Sequence, residues 1–322
     1  MAEPRHRLSS RCPQAPGLDR SPWRAALKDR ALHAAIPLAR ACVRYGPAGP
    51  GRERLWRDRV EPYLAWHSHQ FSARTVFGSR LRGDTQEILQ QHVYYFGVWE
   101  PNLTRWLQSR LQPGDVFIDV GANVGYFTLL ASRLVGERGS VFAIEASPTI
   151  YERLAAHVAR NRASNVRALN RVAAREAGRR TVYIGPASHT GLTTINAEAG
   201  WPPEAEADAA PVPDLVGDAA WRQARLIKID VEGAEDEVVA GMAGALAHAR
   251  PELELVVELH PGSGAELFAI LHEAGFHGYA LEIEYSPLSY GRPGPPPTTR
   301  RIEAPPREEL DVIFSRRDAD AL

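Results

Sequence analysis

Several residue types are scarce in this sequence, and each shortage excludes a class of protein. Only two of the 38 basic residues are lysines, Lys28 and Lys228, so a lysine that falls inside a motif is more informative about function than an arginine would be. The two cysteines, Cys12 and Cys42, are too few for a disulfide framework or a cysteine metal site. No apolar run approaches the roughly 20 residues of a membrane span, and no signal peptide is evident. We therefore expect a globular, cytoplasmic protein.

The sequence divides into three predicted segments. Residues 1–60 are basic and rich in proline, alanine and arginine, with a predicted helix followed by a linker at 46–51. We expect this extension to be separable, partly helical or disordered, and able to contact a membrane surface weakly. Residues 61–112 predict a hairpin and helices that cover the binding site. Residues 113–322 form the main domain.

Short apolar runs bounded by turn residues predict seven buried strands in the main domain. Helical patterns between them imply right-handed crossovers, hence a mostly parallel, Rossmann-like α/β sheet with helices on both faces. An extra strand is predicted at 180–184, and long loops at 201–216 and 286–306. The seven predicted strands cover residues 116–120, 141–145, 166–169, 226–230, 253–259, 279–283 and 310–314.

A glycine-containing turn joins the first of these strands to its helix, with the sequence DVGANVG over residues 119–125. Gly121 lets the chain turn where a side chain would obstruct a ligand, and Gly125 permits close packing of the helix. Glu145 ends the second strand, where a carboxylate can accept hydrogen bonds from the hydroxyls of an adenosine ribose. The combination indicates a nucleoside-type cofactor.

Two residues of the turn bear on which cofactor binds. Asn123 occupies the middle glycine position of a dinucleotide-binding turn. Asp119 would repel a pyrophosphate, but it suits the cationic amino group of S-adenosylmethionine. The charges therefore favour S-adenosylmethionine. An NAD-type oxidoreductase and a non-catalytic cofactor-binding module remain as alternatives.

Several motifs together resemble the FkbM family of methyltransferases. The resemblance covers about residues 75–285 and implies a class I methyltransferase fold and O-methylation of a sugar, a glycolipid or a polyketide-type natural product. At Arg175-Glu176 the sequence departs from the family pattern, in which an aspartate follows the third strand. The motifs are DVGANVG at 119–125, the Glu145 strand end, KIDVEGAE at 228–235, VVELH at 256–260 and Trp99-Glu100-Pro101.

Methyl transfer to a hydroxyl requires a group that accepts the hydroxyl proton. Asp230 ends the fourth strand, and Lys228 and Glu232 lie two positions to either side, so all three share a face if the chain stays extended. An ion pair would offset the cost of burying Lys228, although Lys228 and Glu232 could also serve only to brace the sheet. His260, at the end of the fifth strand, is the second candidate base.

The remaining predictions concern the metal, the lid and the partners. Asp230, Glu232 and His260 could gather a divalent cation, but no tight ligand spacing indicates one, and we predict no metal. Glu100 is assigned to ligand binding, beside a predicted aromatic lid. The expected partner is a small-molecule or glycan acceptor. A nucleic acid is not expected, because no basic stripe accompanies strand four. The lid residues are Tyr95, Phe96 and Trp99.

Overall fold

The computed structural model describes residues 35–47, 49–64, 69–85, 87–185, 193–197, 200–282, 290 and 297–322. Its first helix, α1, covers residues 35–45, and α2 is a helical segment whose middle turn is π-helical. A hairpin and two helices then lead into the main domain. In chain order these elements are α2 (Pro50–Leu55, Trp56–Val60 and Glu61–Leu64), β1 (Gln70–Arg74), β2 (Arg80–Asp84), α3 (Ile88–Tyr95) and α4 (Pro101–Arg110).

The N-terminal helices pack against the main domain. Val43 and Trp56 are buried in the apolar cluster that also contains Phe117 of the first sheet strand. The Arg40 guanidinium donates a hydrogen bond to the carbonyl of Tyr94 at 2.8 Å. The predicted linker at 46–51 is partly helical, because α2 begins at Pro50. The domain boundary at residue 60 stays a prediction. Residues 1–34, which include the first part of the predicted helix, lie outside the described residues.

The main domain alternates strands and helices largely as the sequence predicts. Its first half contains β3 (Val116–Val120), α5 (Tyr126–Val135), β4 (Ser140–Glu145), α6 (Pro148–Arg160), β5 (Val166–Asn170), β6 (Val172–Ala173), β7 (Gly178–Ile184), β8 (Thr193–Thr194), β9 (Pro203–Ala210), α7 (Val212–Val216) and α8 (Asp218–Gln223). Its second half contains β10 (Ala224–Ile229), α9 (Glu235–Met242, followed by a 3-10 helix Ala243–His248), β11 (Glu254–Leu259), α10 (Ala265–Glu273), β12 (His277–Leu281), β13 (Thr299–Ile302) and β14 (Leu310–Ser315).

The main sheet has the strand order β13-β12-β14-β11-β10-β3-β4-β5. From β11 to β5 neighbouring strands are parallel, whereas β14 is antiparallel to both β11 and β12. Phe117 and Ile118 belong to two different apolar clusters, since successive strand residues face opposite sides. Both faces of the sheet are therefore covered, which confirms the Rossmann-like α/β class.

The predicted count of seven strands in this sheet is wrong, because the described residues contain eight. The eighth is β13, which lies inside the predicted 286–306 loop and pairs with β12 at the edge of the sheet. Its sequence, Thr-Arg-Arg-Ile, is short and mostly polar and so carries little strand signal.

A second, four-stranded sheet has the order β6-β9-β7-β8 and includes the extra strand predicted at 180–184. The predicted loop at 201–216 is wrong, because β9 and α7 occupy it. The β9 sequence PEAEADAA contains weak strand formers, but antiparallel pairing with β7 supplies the backbone hydrogen bonds that hold it extended.

Candidate active site

The glycine turn after β3 lies directly against the end of β10. Gly121 has a φ of 77°, and a Cβ added to it would lie 1.7 Å from the main-chain oxygen of Asp230. Gly125 has a φ of 89°, and its Cβ would lie 2.6 Å from Leu154 Cδ1. Asn123 also adopts a left-handed conformation, which asparagine tolerates better than most residues. The turn therefore requires glycine at both predicted positions.

Glu145 is buried at the end of β4, beside this turn. Its Oε2 accepts the N–H of Asn123 at 2.8 Å, and its Oε1 accepts the N–H of Ser147 at 2.9 Å. Burial raises the pKa of Glu145 to about 7, although these hydrogen bonds lower it in part. A carboxylate offers about four acceptor positions, so the side chain retains capacity for ribose hydroxyls.

Asp119 is the second buried carboxylate of the cofactor side. Its Oδ2 accepts a hydrogen bond from the Thr128 hydroxyl at 2.6 Å, whereas its Oδ1 is buried with no hydrogen-bond partner among the described residues. Burial raises the pKa of Asp119, and the nearby ammonium of Lys228 opposes this. A buried acceptor without a partner is costly, so this oxygen fits a ligand that carries donors or positive charge.

A pocket that is partly open to solvent lies between the glycine turn and the second sheet. It brings together Gly121, Glu145 and Asp230, three of the predicted site residues. Thr193 of β8 also lines it, and the Thr193 hydroxyl lies 3.4 Å from Glu145 Oε1. The second sheet is thus one wall of the cofactor pocket, a contribution that the sequence did not indicate.

The residues after β5, the third of the predicted strands, differ from the family pattern. Arg171, which follows β5 directly, lines the pocket, whereas Arg175 forms ion pairs with Glu237 and Glu266. Asn170 donates from its side chain to the carbonyls of Glu145 and Ala146 and so ties β5 to the end of β4. The pocket-lining residue after β5 is therefore Arg171, four residues before the position at which the sequence departs from the family pattern.

Lys228 and Asp230 form the predicted ion pair at the end of β10. The Nζ atom lies 2.7 Å from Asp230 Oδ2 and 5.1 Å from the centroid of the Phe127 ring. Burial alone would lower the pKa of Lys228, but Asp230, Asp119 and Glu100 raise it overall. Burial likewise raises the pKa of Asp230, but Lys228, Glu258 and His260 together outweigh burial and the pKa is lowered. At neutral pH the pair is therefore ionised.

His260 lies between two carboxylates at the end of β11. Its Nε2 is 3.7 Å from Glu232 Oε2, and its Nδ1 is 3.7 Å from Glu309 Oε2. The interaction with Glu309 raises the pKa of His260 to about 9. Burial raises the pKa of Glu232 to about 8. At neutral pH His260 is thus an imidazolium, which makes Asp230 the better proton acceptor of the two predicted bases.

The aromatic residues near Glu100 have separate roles. Tyr95 and Phe96 pack against Trp56, with ring centroids 5.1 Å and 4.7 Å apart, so they belong to the core. Trp99 is half-buried next to Glu100, which has a strained φ of 39°. Burial, followed by the charge of Asp311, raises the pKa of Glu100 well above its usual value. Of the three predicted lid residues, Trp99 is the one that directly precedes Glu100 in the sequence.

Three carboxylates that the sequence analysis did not single out complete the acceptor side: Glu258, Glu309 and Asp311. Glu258 lies two positions before His260 in the VVELH motif, so an acidic residue inside an apolar strand was the available signal. Asp311 lies in β14, and Glu309 directly precedes this strand. The strand order brings both to the acceptor side, and no short stretch of sequence reveals that order.

Oxygens of Asp230, Glu232 and Glu258 lie within 4.8 Å of one another, a spacing compatible with a cation. The ammonium of Lys228 already neutralises Asp230 at 2.7 Å and would repel a second positive charge. We assign no metal ligands among these residues, and the absence of a metal stays a prediction.

A glycine turn at the carboxyl end of the first parallel strand, a buried glutamate at the end of the second and an acidic group after the fourth define a class I methyltransferase. Comparison with known proteins agrees. The methyltransferase FkbM domain matches residues 119–277. The 31-O-demethyl-FK506 methyltransferase FkbM of Streptomyces tacrolimicus is 30% identical over 212 residues, 56% of this chain and 78% of that protein. The chain belongs to the FkbM family of S-adenosylmethionine-dependent methyltransferases, and the NAD-type alternative is wrong.

Solved structures resemble this chain only in outline. An S-adenosylmethionine-dependent O-methyltransferase of Thermotoga maritima is 14% identical, with a TM-score of 0.40 over 77% of this chain and 79% of that one. A precorrin-6y C5,15-methyltransferase of Geobacter metallireducens is also 14% identical, with a TM-score of 0.38 over 66% and 84%. At such scores nothing about the acceptor follows.

Proposed function

We propose that this enzyme methylates a hydroxyl oxygen of a sugar, a glycolipid or a polyketide-type natural product. The observation that carries the proposal is the position of Asp230. Its main chain touches the Gly121 turn, the residue lines the same pocket as Glu145, and its carboxylate is paired with Lys228. An ionised carboxylate thus lies where the cofactor pocket meets the acceptor side.

Each part of the site has a task in this reaction. When bound, S-adenosylmethionine supplies an electrophilic methyl group, and Asp119, Asn123 and Glu145 are the residues suited to hold the cofactor. Asp230 accepts a hydrogen bond from the acceptor hydroxyl and takes its proton as the new bond forms. Lys228 keeps Asp230 ionised and fixes one of its oxygens, so that the hydroxyl is oriented before reaction.

The groups around Asp230 suit a neutral, hydroxyl-rich acceptor. Burial raises the pKa of Glu232 to about 8 and that of Asp311 to about 7, so each can donate or accept a hydrogen bond with further hydroxyls. The relative's name specifies methylation of an oxygen of FK506, which supports a hydroxyl acceptor here as well. A nucleic acid is not expected as substrate.

We place the reaction in the cytoplasm, with weak membrane contact through α1 as an added expectation. Leu38 is 69% exposed and Tyr45 78% exposed on this helix. Exposed apolar side chains on one helix suit contact with a membrane surface. Within the described ranges no helix is long and apolar enough to span a membrane.

The proposal can be tested by following the methyl group. We expect purified protein with methyl-labelled S-adenosylmethionine to transfer the label to a hydroxyl of at least one acceptor in a panel of glycosides, glycolipids and macrolides, as identified by mass spectrometry and NMR. The same acceptors with the hydroxyl already methylated serve as controls. Label on nitrogen or carbon would overturn O-methylation, and cofactor binding without transfer to any acceptor would favour the non-catalytic module.

A further inference from the structure

A row of three carboxylates crosses three neighbouring strands of the main sheet. In the parallel register of β10 and β11, Ile229 lies opposite Val257, so Asp230 adjoins Glu258. In the antiparallel register of β11 and β14, Glu258 lies opposite Asp311. Side chains in such register project from the same face about 5 Å apart. Glu258 is therefore the middle member, with an acidic group on each side.

The row has too little positive charge beside it for all three groups to ionise. Lys228 lies 2.7 Å from Asp230 Oδ2, on the β10 side of the row. Asp311 is buried, and Glu258 is only partly exposed, with an oxygen within 4.8 Å of one from Asp230. Adjacent carboxylates shielded from water cannot all be charged, so at least one retains its proton. Glu258 is the member most strongly favoured to do so, because it alone has an acidic neighbour in the row on each side.

We propose that Glu258 is a positioning residue, a neutral carboxylic acid that donates a hydrogen bond to the Asp230 carboxylate and, together with Lys228, fixes the base toward the acceptor hydroxyl. This proposal rests on the proposed function, because it gives Glu258 a role in preparing the proton acceptor of that reaction. Glu258 itself exchanges no proton with the acceptor and remains protonated during turnover.

The charges around Glu258 agree with this assignment. Burial, then Asp230, Glu100 and Asp311, raises the pKa of Glu258 well above its usual value. A hydrogen bond with Glu258 helps to lower the pKa of Asp230, as expected if Glu258 is the donor. The charged and titratable groups from the surrounding elements are Lys228, Asp230 and Glu232 from β10 and the turn after it, His260 after β11, Glu309 and Asp311 from β14 and its approach, and Glu100 before α4.

Two substitutions separate the hydrogen bond from the charge. Glu258→Gln keeps a donor that cannot ionise, and Glu258→Leu removes the donor at similar volume. We expect kcat to fall roughly tenfold to a hundredfold in Glu258→Leu, because a hydrogen bond to a charged group is lost. In Glu258→Gln we expect kcat to stay within a few-fold of wild type. Wild-type turnover should also decline more steeply at alkaline pH than that of Glu258→Gln, because the ionisation of Glu258 adds to that of Glu232 and His260.

A second measurement is independent of activity. Because its pKa is raised on folding, Glu258 keeps a proton that the unfolded chain releases above about pH 4.3. The unfolding free energy of wild type should therefore decrease as pH rises from there, until Glu258 ionises in the folded protein too. The Tm of wild type should fall relative to that of Glu258→Gln over this range. The matched control is Glu254→Gln on the same strand, where Glu254 instead pairs with Arg110 and Arg225.

The outcomes separate the two proposals. Parallel Tm curves for wild type and Glu258→Gln, or an alkaline decline in kcat that is equally steep in both, would overturn the positioning role. Equal loss of kcat in Glu258→Gln and Glu258→Leu would overturn it as well. Diverging Tm curves without transfer to any hydroxyl would support the proton on Glu258 and count against the proposed O-methylation.

Discussion

The cofactor side and the acceptor side of this site hold their carboxylates in different ways. On the cofactor side, main-chain N–H groups fix Glu145 and the Thr128 hydroxyl fixes Asp119, all from β3, β4, the turns after them and the first turn of α5. On the acceptor side, Asp230 and Glu258 face other ionisable side chains from three different strands. Backbone partners define geometry whatever the pH, whereas side-chain partners make each charge depend on its neighbours.

Lys228 connects the two sides. In the register of β10 with β3 it lies opposite Asp119, and its ammonium binds Asp230. Its charge opposes the effect of burial on the pKa of both carboxylates. A substitution on one side should therefore leave the ionisation of the carboxylates on the other side unchanged, provided that Lys228 stays charged.

The largest effect should come from Asp230→Asn. Loss of the proton acceptor should reduce kcat by about 10²- to 10⁴-fold while the Kd of S-adenosylmethionine changes little. Asp236→Asn is the control, because the Asp236 carboxylate accepts N–H groups of Gly264 and Leu267 rather than facing the pocket. The measurements are steady-state kinetics and calorimetry. A comparable loss of cofactor affinity in Asp230→Asn would show that the two sides are not separable.

A smaller effect, confined to binding, is expected for Glu145→Ala. Loss of charge-assisted hydrogen bonds should weaken S-adenosylmethionine binding by about 1–3 kcal/mol. Because the pKa of Glu145 is about 7, wild-type affinity should increase as pH rises through that value and the carboxylate ionises. Glu145→Gln should lack this increase, as measured by calorimetry across the pH range. Affinity in Glu145→Gln that still increases around pH 7 would assign the titration to another group.

The smallest effect should come from Glu309→Gln. Without this ion pair the pKa of His260 should fall from about 9 toward its ordinary value, so His260 is less often charged at neutral pH. NMR titration of the imidazole would measure the shift, and kcat should change only a few-fold. Substitution of the neighbouring Glu308 by glutamine is the control. A large loss of kcat in Glu309→Gln would instead make His260 and Glu309 part of the proton-accepting group.

The cofactor side could be predicted from sequence because its information is local. The glycine turn, the β3 boundaries and Glu145 follow from a short stretch in which strand, turn and helix signals adjoin. The acceptor side could be predicted only where it belonged to such a stretch. Asp230, Lys228 and Glu232 lie in one motif, whereas Asp311 reaches Glu258 through a strand inserted out of chain order.

The missed strands and the packed N-terminal helices have a similar cause. Pairing with β7 and β12 makes β9 and β13 extended although their own residues favour it weakly. Trp56 is buried because α3 provides Tyr95 and Phe96 as partners. In each case the deciding contact comes from a segment distant in the sequence, which composition and periodicity do not reveal.

The insertion of β14 between β11 and β12 has a consequence for the order in which the enzyme matures. During synthesis the chain forms its earlier parts first. Among the described residues β12 reaches β11 through β14, whereas β3 and β4, which carry the cofactor side, pair without it. Asp311 therefore joins the acceptor side only once β14 is in place, after the strands that hold Glu145 have been synthesised.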